Sequence, residues 1–237
     1  MIREYKGEGY NMNMSQAFFD AIRAGNRDEV ERMLLLDGSL IHAKTHGLSP
    51  VLVAAYCLEA QLAEFLADKT VTLNIFEAAA TGRTTHLIRL LARTPELVNS
   101  FADDGFQPLG LACFFGHAEA AEYLMKAGAQ INAASNNELT VTPLQSAVAG
   151  GHTAIVRMLL KNGAQPNVRE RGGFTPLHAA AQNGDLESIQ LLILAGADLH
   201  LRANNGQRPV DLAEEKGHSR AVEILKREIT KRFRVPS

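Results

Sequence analysis

At 237 residues, 46% of them apolar, the chain is long enough for one extended domain or two small ones and too apolar for a disordered polymer. Its 24 basic and 26 acidic residues nearly cancel, which excludes an overall field that would draw nucleic acid or an anionic membrane. Two cysteines without a paired spacing, Cys57 and Cys113, suggest neither a disulfide framework nor a zinc site, and no run reaches the roughly eighteen apolar residues of a membrane span, so a cytoplasmic protein is expected.

Residues 1–14 are polar, lack the apolar core of a secretory signal, and read as an N-terminal tail. From Ser15 onward the chain is periodic. Prolines at 108, 143, 176 and 209 are spaced by 35, 33 and 33 residues, and each has a glycine eight positions later. Ala17, Phe18 and Gly25 lie 33 residues before Pro50, Val51 and Leu58, so the first unit is a cap and the second begins at Ser49. The third starts near Asn74, only 24 residues after Pro50; the finger between units two and three should therefore be short or absent, and Leu58 stands where a glycine is expected. Unit four follows at Pro108. Between it and unit five, residues 133–141 (AASNNELTV) hold two extra residues and predict a longer finger.

The sixth unit carries the clearest copy: Thr175-Pro176-Leu177-His178-Ala179-Ala180, then Gly184, Ile189, Leu191, Leu192 and Gly196-Ala197. It predicts a helix pair, with Thr175 and Pro176 suited to a helix start and Gly184 and Gly196 to the left-handed positions that end helices. The last unit starts at Arg208-Pro209 and ends in a charged helix, the polarity a terminal repeat needs to face water. Residues 226–237 form a basic C-terminal tail.

The TPLHAA hexapeptide, the 33-residue spacing and the closing LLxxGA pattern resemble the ankyrin repeat family. The resemblance implies an all-α fold over residues 15–225, a single solenoid of about seven stacked helix pairs with β-hairpin fingers. It also implies that His178 joins neighbouring units through hydrogen bonds.

No constellation for chemistry emerges. His117, His152 and His218 each follow a repeat glycine, which reads as structural, and His42, His46, His86 and His200 form no ligand set. Phosphate loops, nucleophile elbows and dinucleotide fingerprints are missing, so neither an enzyme nor a cofactor is expected.

Scaffold positions of a stacked repeat are filled repetitively; binding residues should lie at finger tips and on the exposed part of each first helix. Those positions hold Tyr56 in unit two; Asp103, Asp104, Phe106, Phe114 and Phe115 in unit four; Leu139 and Val141 in unit five; and Arg171, Phe174, Gln182 and Asn183 in unit six. Phe106, Phe115 and Phe174 are the expected anchors and the polar residues the tuners of specificity, with Phe114 assigned either to solvent or to the space left by Gly110 at the motif's histidine position. The expected function is an adaptor or inhibitor that binds a protein on the concave surface. The alternatives are a homo-oligomeric scaffold and an enzyme with an unfamiliar site. The basic run Lys226, Arg227, Lys231, Arg232 and Arg234 reads as a solvated cap, since only Phe233 interleaves to stack a base.

Overall fold

A computed structural model describes residues 7–232. Its fourteen α-helices run in consecutive pairs: α1 (Gly7–Arg23) with α2 (Arg27–Leu36), α3 (Pro50–Tyr56) with α4 (Ala60–Lys69), α5 (Ile75–Ala80) with α6 (Thr84–Arg93), and α7 (Pro108–Phe114) with α8 (Ala118–Lys126). Then follow α9 (Pro143–Ala149) with α10 (Thr153–Lys161), α11 (Pro176–Asn183) with α12 (Leu186–Leu194), and α13 (Pro209–Glu215) with α14 (Ser219–Arg232). Short 3-10 helices cover Gly38–His42 and Pro95–Asn99. The expected divisions at Ser15 and Leu225 fall inside α1 and α14.

The first helices are short because each is framed by a start and a stop signal. Proline opens α3, α7, α9, α11 and α13, where its missing N–H has no partner to lose. Asn74 caps α5, accepting from the Phe76 and Glu77 amides at 2.9 Å, and Thr142 caps α9. Gly184 and Gly196 adopt φ of +67° and +88°, as their positions just after α11 and α12 required.

First helices pack against the first helices of the next pair from α1 through α13, and second helices do so from α6 through α14. Alanine and leucine serve the two kinds of contact. Ala54, Ala78, Ala112, Ala147 and Ala180 are fully buried where first helices approach one another, while Leu66, Leu87, Leu124, Leu159 and Leu192 fill the space below the second helices. Each such leucine contributes about 1.5–3 kcal/mol of burial, and no pair could bury its apolar face alone.

The fingers correct one expectation: among the described residues they contain no β-strand, and the only bridge is an isolated one between Thr45 and Leu48. Within a finger the backbone closes a tight turn, as where Ala102 N donates to Phe106 O and Gly105 N to Ala102 O. The remaining bonds run sideways from finger to finger, Asn136 N to Gly105 O at 2.8 Å and Asn204 N to Gly172 O at 2.8 Å. A two-residue turn with one or two bonds is too short to make a ladder.

The missing third finger is as expected. Only residues 70–73 separate α4 from the Asn74 cap, so finger two (residues 44–48) lies directly against finger four (residues 102–106). A Cβ on Gly47 would sit 2.8 Å from Asp103 Cβ, and Lys44 Nζ lies 3.3 Å from Asp103 Oδ2.

Candidate functional site

A ladder of side chains fixes the ends of the first helices. The last carbonyls of a helix have no partner within it; here the residue opening the next unit's second helix supplies one. His117 Nε2 bonds Ala80 O at 2.9 Å, His152 Nε2 bonds Phe114 O at 2.9 Å, and His218 Nε2 bonds Gln182 O at 3.0 Å. In unit six Asp185 stands at that position, and Asn183 Nδ2 from the end of α11 reaches Val148 O at 3.2 Å instead. Burial of the His117 ring, together with the neighbouring His152, pushes its pKa below the ordinary histidine value despite the opposing pull of the Ala80 carbonyl. Those imidazoles need space, which the glycines give: a Cβ on Gly184 would stand 2.6 Å from His218 Nδ1.

Unit three breaks this rule, and the break shapes the surface. Arg83 replaces the histidine and turns instead to Asp68, 2.8 Å away. With no imidazole over it, position 58 tolerates a side chain: Leu58 keeps the left-handed backbone at φ +61° and leaves 76% of its surface exposed. Leu58 forms one wall of an open groove of about 360 Å³ across the ends of the first helices. Ala55, Ala60, Ala63, Ala80, Ala149 and Gly150 leave the space, and Phe114, Phe115, His117 and His152 line it together with Glu64 and Thr81.

Three of the predicted aromatics converge here. Phe114 and Phe115 meet edge to face at 5.1 Å between ring centres, and Phe115 meets Tyr56 at 5.4 Å. All three are half-buried. The Tyr56 hydroxyl donates to Asp104 Oδ2 at 2.7 Å; burial, then that carboxylate, raise the phenol's pKa far above its usual value, so it stays a neutral donor. Phe114 thus faces the groove rather than the space beside Gly110, which belongs to Phe106: a Cβ on Gly110 would lie 3.9 Å from the Phe106 ring.

Phe106 and Phe174 do not join the cluster. Each sits at a finger base against its own unit, Phe174 edge-on to His178 at 5.5 Å. His178 is the hub of that unit: Thr175 N donates to Nδ1 at 3.1 Å, and Nε2 bonds Gln207 O of the next unit at 3.1 Å, the junction the resemblance implied. Burial lowers the His178 pKa, in keeping with a ring nitrogen that must accept. Leu139 and Arg171 are exposed neighbours on fingers five and six, where Arg171 N donates to Leu139 O at 3.2 Å and Arg171 Nη1 lies 3.2 Å from Glu138. Val141 is half-buried, Asp103 is exposed and bound to Lys44, and Gln182 and Asn183 are exposed.

Sequence reasoning missed Leu58 as a surface residue and a second ladder outright. Asn99, Asn132 and Asn167 each donate to a glycine carbonyl in the following unit (Gly128, Gly163, Gly196, all at 3.1 Å) and accept from the backbone two residues beyond it. Their spacing of 33 and 35 residues was the available signal.

Among the described residues no group of three His, Cys, Asp or Glu side chains could hold a metal, and no helix is long and apolar enough to cross a membrane. In the basic C-terminal run Lys226 pairs with Glu214 at 2.6 Å and Lys231 with Glu228 at 2.8 Å; Arg234 lies outside the described residues.

Helix pairs joined in file, tied by side chain to backbone ladders and offering grooves between units, define a helical repeat protein. Comparison with known families matches residues 112–160 and 144–193 to ankyrin repeats (many copies) and residues 169–233 to ankyrin repeats (3 copies), about half of the chain in all. The chain belongs to the ankyrin repeat family, whose members are generally protein-protein interaction modules. No curated protein matches it.

Proposed function

We propose that the chain is an adaptor or inhibitor that holds a protein partner in the Leu58–Phe114–Phe115 groove, on the surface expected to be concave. Each helix pair counts as one repeat in this reading, giving seven units in a single domain from Ser15 to Leu225. The observation that carries it is Leu58: a leucine kept in a backbone conformation that favours glycine, with 76% of its surface open to solvent beside two phenylalanines. Exposed apolar patches of this kind mark interaction sites, and half-buried aromatics supply large contact area for little lost rotamer freedom. The partner segment is one that presents apolar side chains, with Asp104, Gln182 and Asn183 setting specificity at the margins. The free thiols of Cys57 and Cys113 support a cytoplasmic setting.

Affinity capture with quantitative mass spectrometry, on the natural protein and on a folded Leu58→Gly, Phe114→Ser variant, tests this. Loss of a stoichiometric partner from the variant supports the groove. Capture of the same partner by both contradicts it. If the natural protein captures only itself and the variant is monomeric, the groove is a homo-oligomer interface.

A further inference from the structure

Where the third finger is missing, a second cavity of about 270 Å³ opens between fingers two and four. Lys44, Gly47, Ser49, Thr72, Glu77 and Asp103 are among its walls. Glu77 is the unusual member. It is only 6% exposed, and its Oε2 accepts from Asn74 N at 2.9 Å, while Oε1 has no partner among the described residues. A carboxylate so placed is largely covered and holds a single hydrogen bond within the protein, with its second oxygen left to accept another.

Register sharpens the anomaly. Glu77 is the fourth residue from the cap of its first helix, as are Gln145 and His178 in units five and six. Gln145 Nε2 donates to Phe174 O at 3.2 Å and His178 Nε2 bonds Gln207 O at 3.1 Å, in each case the carbonyl at the base of the next finger. Each of those carbonyls also accepts from its own finger, from Glu170 N and Ala203 N. The carbonyl in register with Glu77 is that of Phe106, which accepts from Ala102 N; a carboxylate has no N–H to add as the second donor. At Gly110 the Phe106 ring lies beside the missing side chain, whereas Glu77 lines the open cavity.

A pocket lined by a buried carboxylate that holds one hydrogen bond, with Asp103 at its edge, calls for a group that donates several hydrogen bonds and carries positive charge. We infer that the gap between fingers two and four binds a guanidinium or ammonium cation, with Glu77 as its counter-charge. A guanidinium suits it best, because its planar fork of donors can bond a carboxylate and neighbouring oxygens at once. Lys44, tied to Asp103 at the entrance, is the competing cation that an incoming group displaces. This site is independent of the apolar groove.

The test uses the full chain, labelled with nitrogen-15, titrated with acetyl-Gly-Arg-Gly-amide, with the neutral isostere in which citrulline replaces arginine, and with agmatine. Saturable shifts at Gly47, Asn74 and Glu77 are expected with the arginine peptide and not with the citrulline peptide. Glu77→Gln should weaken binding about tenfold or more, the scale of one charge-assisted hydrogen bond. That variant keeps the cap, since Gln145 makes the same bond to Thr142 N at 2.9 Å, so a normal melting curve accompanies the loss. Agmatine binding as tightly as the peptide assigns the site to a small cation, and tighter binding of the peptide assigns it to an arginine on a partner segment; either supports the cation site. Equal shifts from the arginine and citrulline peptides, no saturable shift from any probe, or affinity within twofold in Glu77→Gln overturns it.

Discussion

Replacing Leu58 by glycine separates the demands of fold and function at one position. The left-handed backbone costs a non-glycine residue about 1–2 kcal/mol, and glycine would remove that. Against this stand glycine's greater freedom in the unfolded chain, about 0.5–1 kcal/mol, and the loss of roughly 0.5 kcal/mol of packing from the quarter of the side chain that is covered. The terms nearly cancel, so stability should change by less than about 1 kcal/mol. Binding has no such compensation. A partner that covers the exposed part of Leu58 gains about 1–2 kcal/mol from it, and Leu58→Gly should weaken that complex about tenfold. Urea denaturation followed by circular dichroism gives the first quantity and isothermal titration with the captured partner the second. A stability loss above about 2 kcal/mol would show Leu58 to be part of the scaffold, and unchanged affinity would remove it from the site; either refutes the reasoning.

Acidification below the ordinary histidine value of about 6.5 should destabilise the fold. The folded pKa values of His117 and His178 are both lowered, so as pH falls the unfolded chain takes up protons first; stability present above the ordinary histidine value of about 6.5 is lost as pH drops through the folded values. Thermal melts across this range should show a falling midpoint, and His178→Gln, which keeps both hydrogen-bonding roles, should flatten the dependence. Asn132→Ala removes bonds to Gly163 O and from Gln165 N, and should cost about 1–2 kcal/mol in a urea titration. Cys113 is fully buried with its thiol pushed far up by that burial, whereas Cys57 is half-buried; a thiol reagent at neutral pH should label one cysteine in the native protein and two in denaturant.

What could be read in advance was whatever repeats locally. The prolines, the start of unit three near Asn74 and the short or absent third finger follow from spacing, because a helix start or a shortened loop is a local event. So is the concentration of Phe114 and Phe115, which does form the groove. Phe106 and Phe174 lie at equivalent places before their prolines, yet whether such a ring faces a partner or its own unit depends on what fills the fourth motif position, glycine beside Phe106 and histidine beside Phe174. Leu58 was visible as a departure from glycine, but its exposure depends on Arg83, the residue of the next unit that declines to cover it. The asparagine ladder escaped because loop asparagines have many ordinary uses, and only the glycine carbonyl of the following unit gives these three a common one. Strand-like fingers were inferred from the family resemblance; the bonds formed close single turns within a finger and link one finger to the next.

The most direct test of the groove is site-specific photo-crosslinking in source cells, with p-benzoyl-phenylalanine placed at position 114 or at position 194, where Leu194 is 84% exposed outside the groove. The predicted result is one discrete protein adduct from position 114, none from position 194, and loss of the adduct on adding Leu58→Gly. An adduct only from position 194, or an adduct at 114 that survives Leu58→Gly undiminished, would contradict the account.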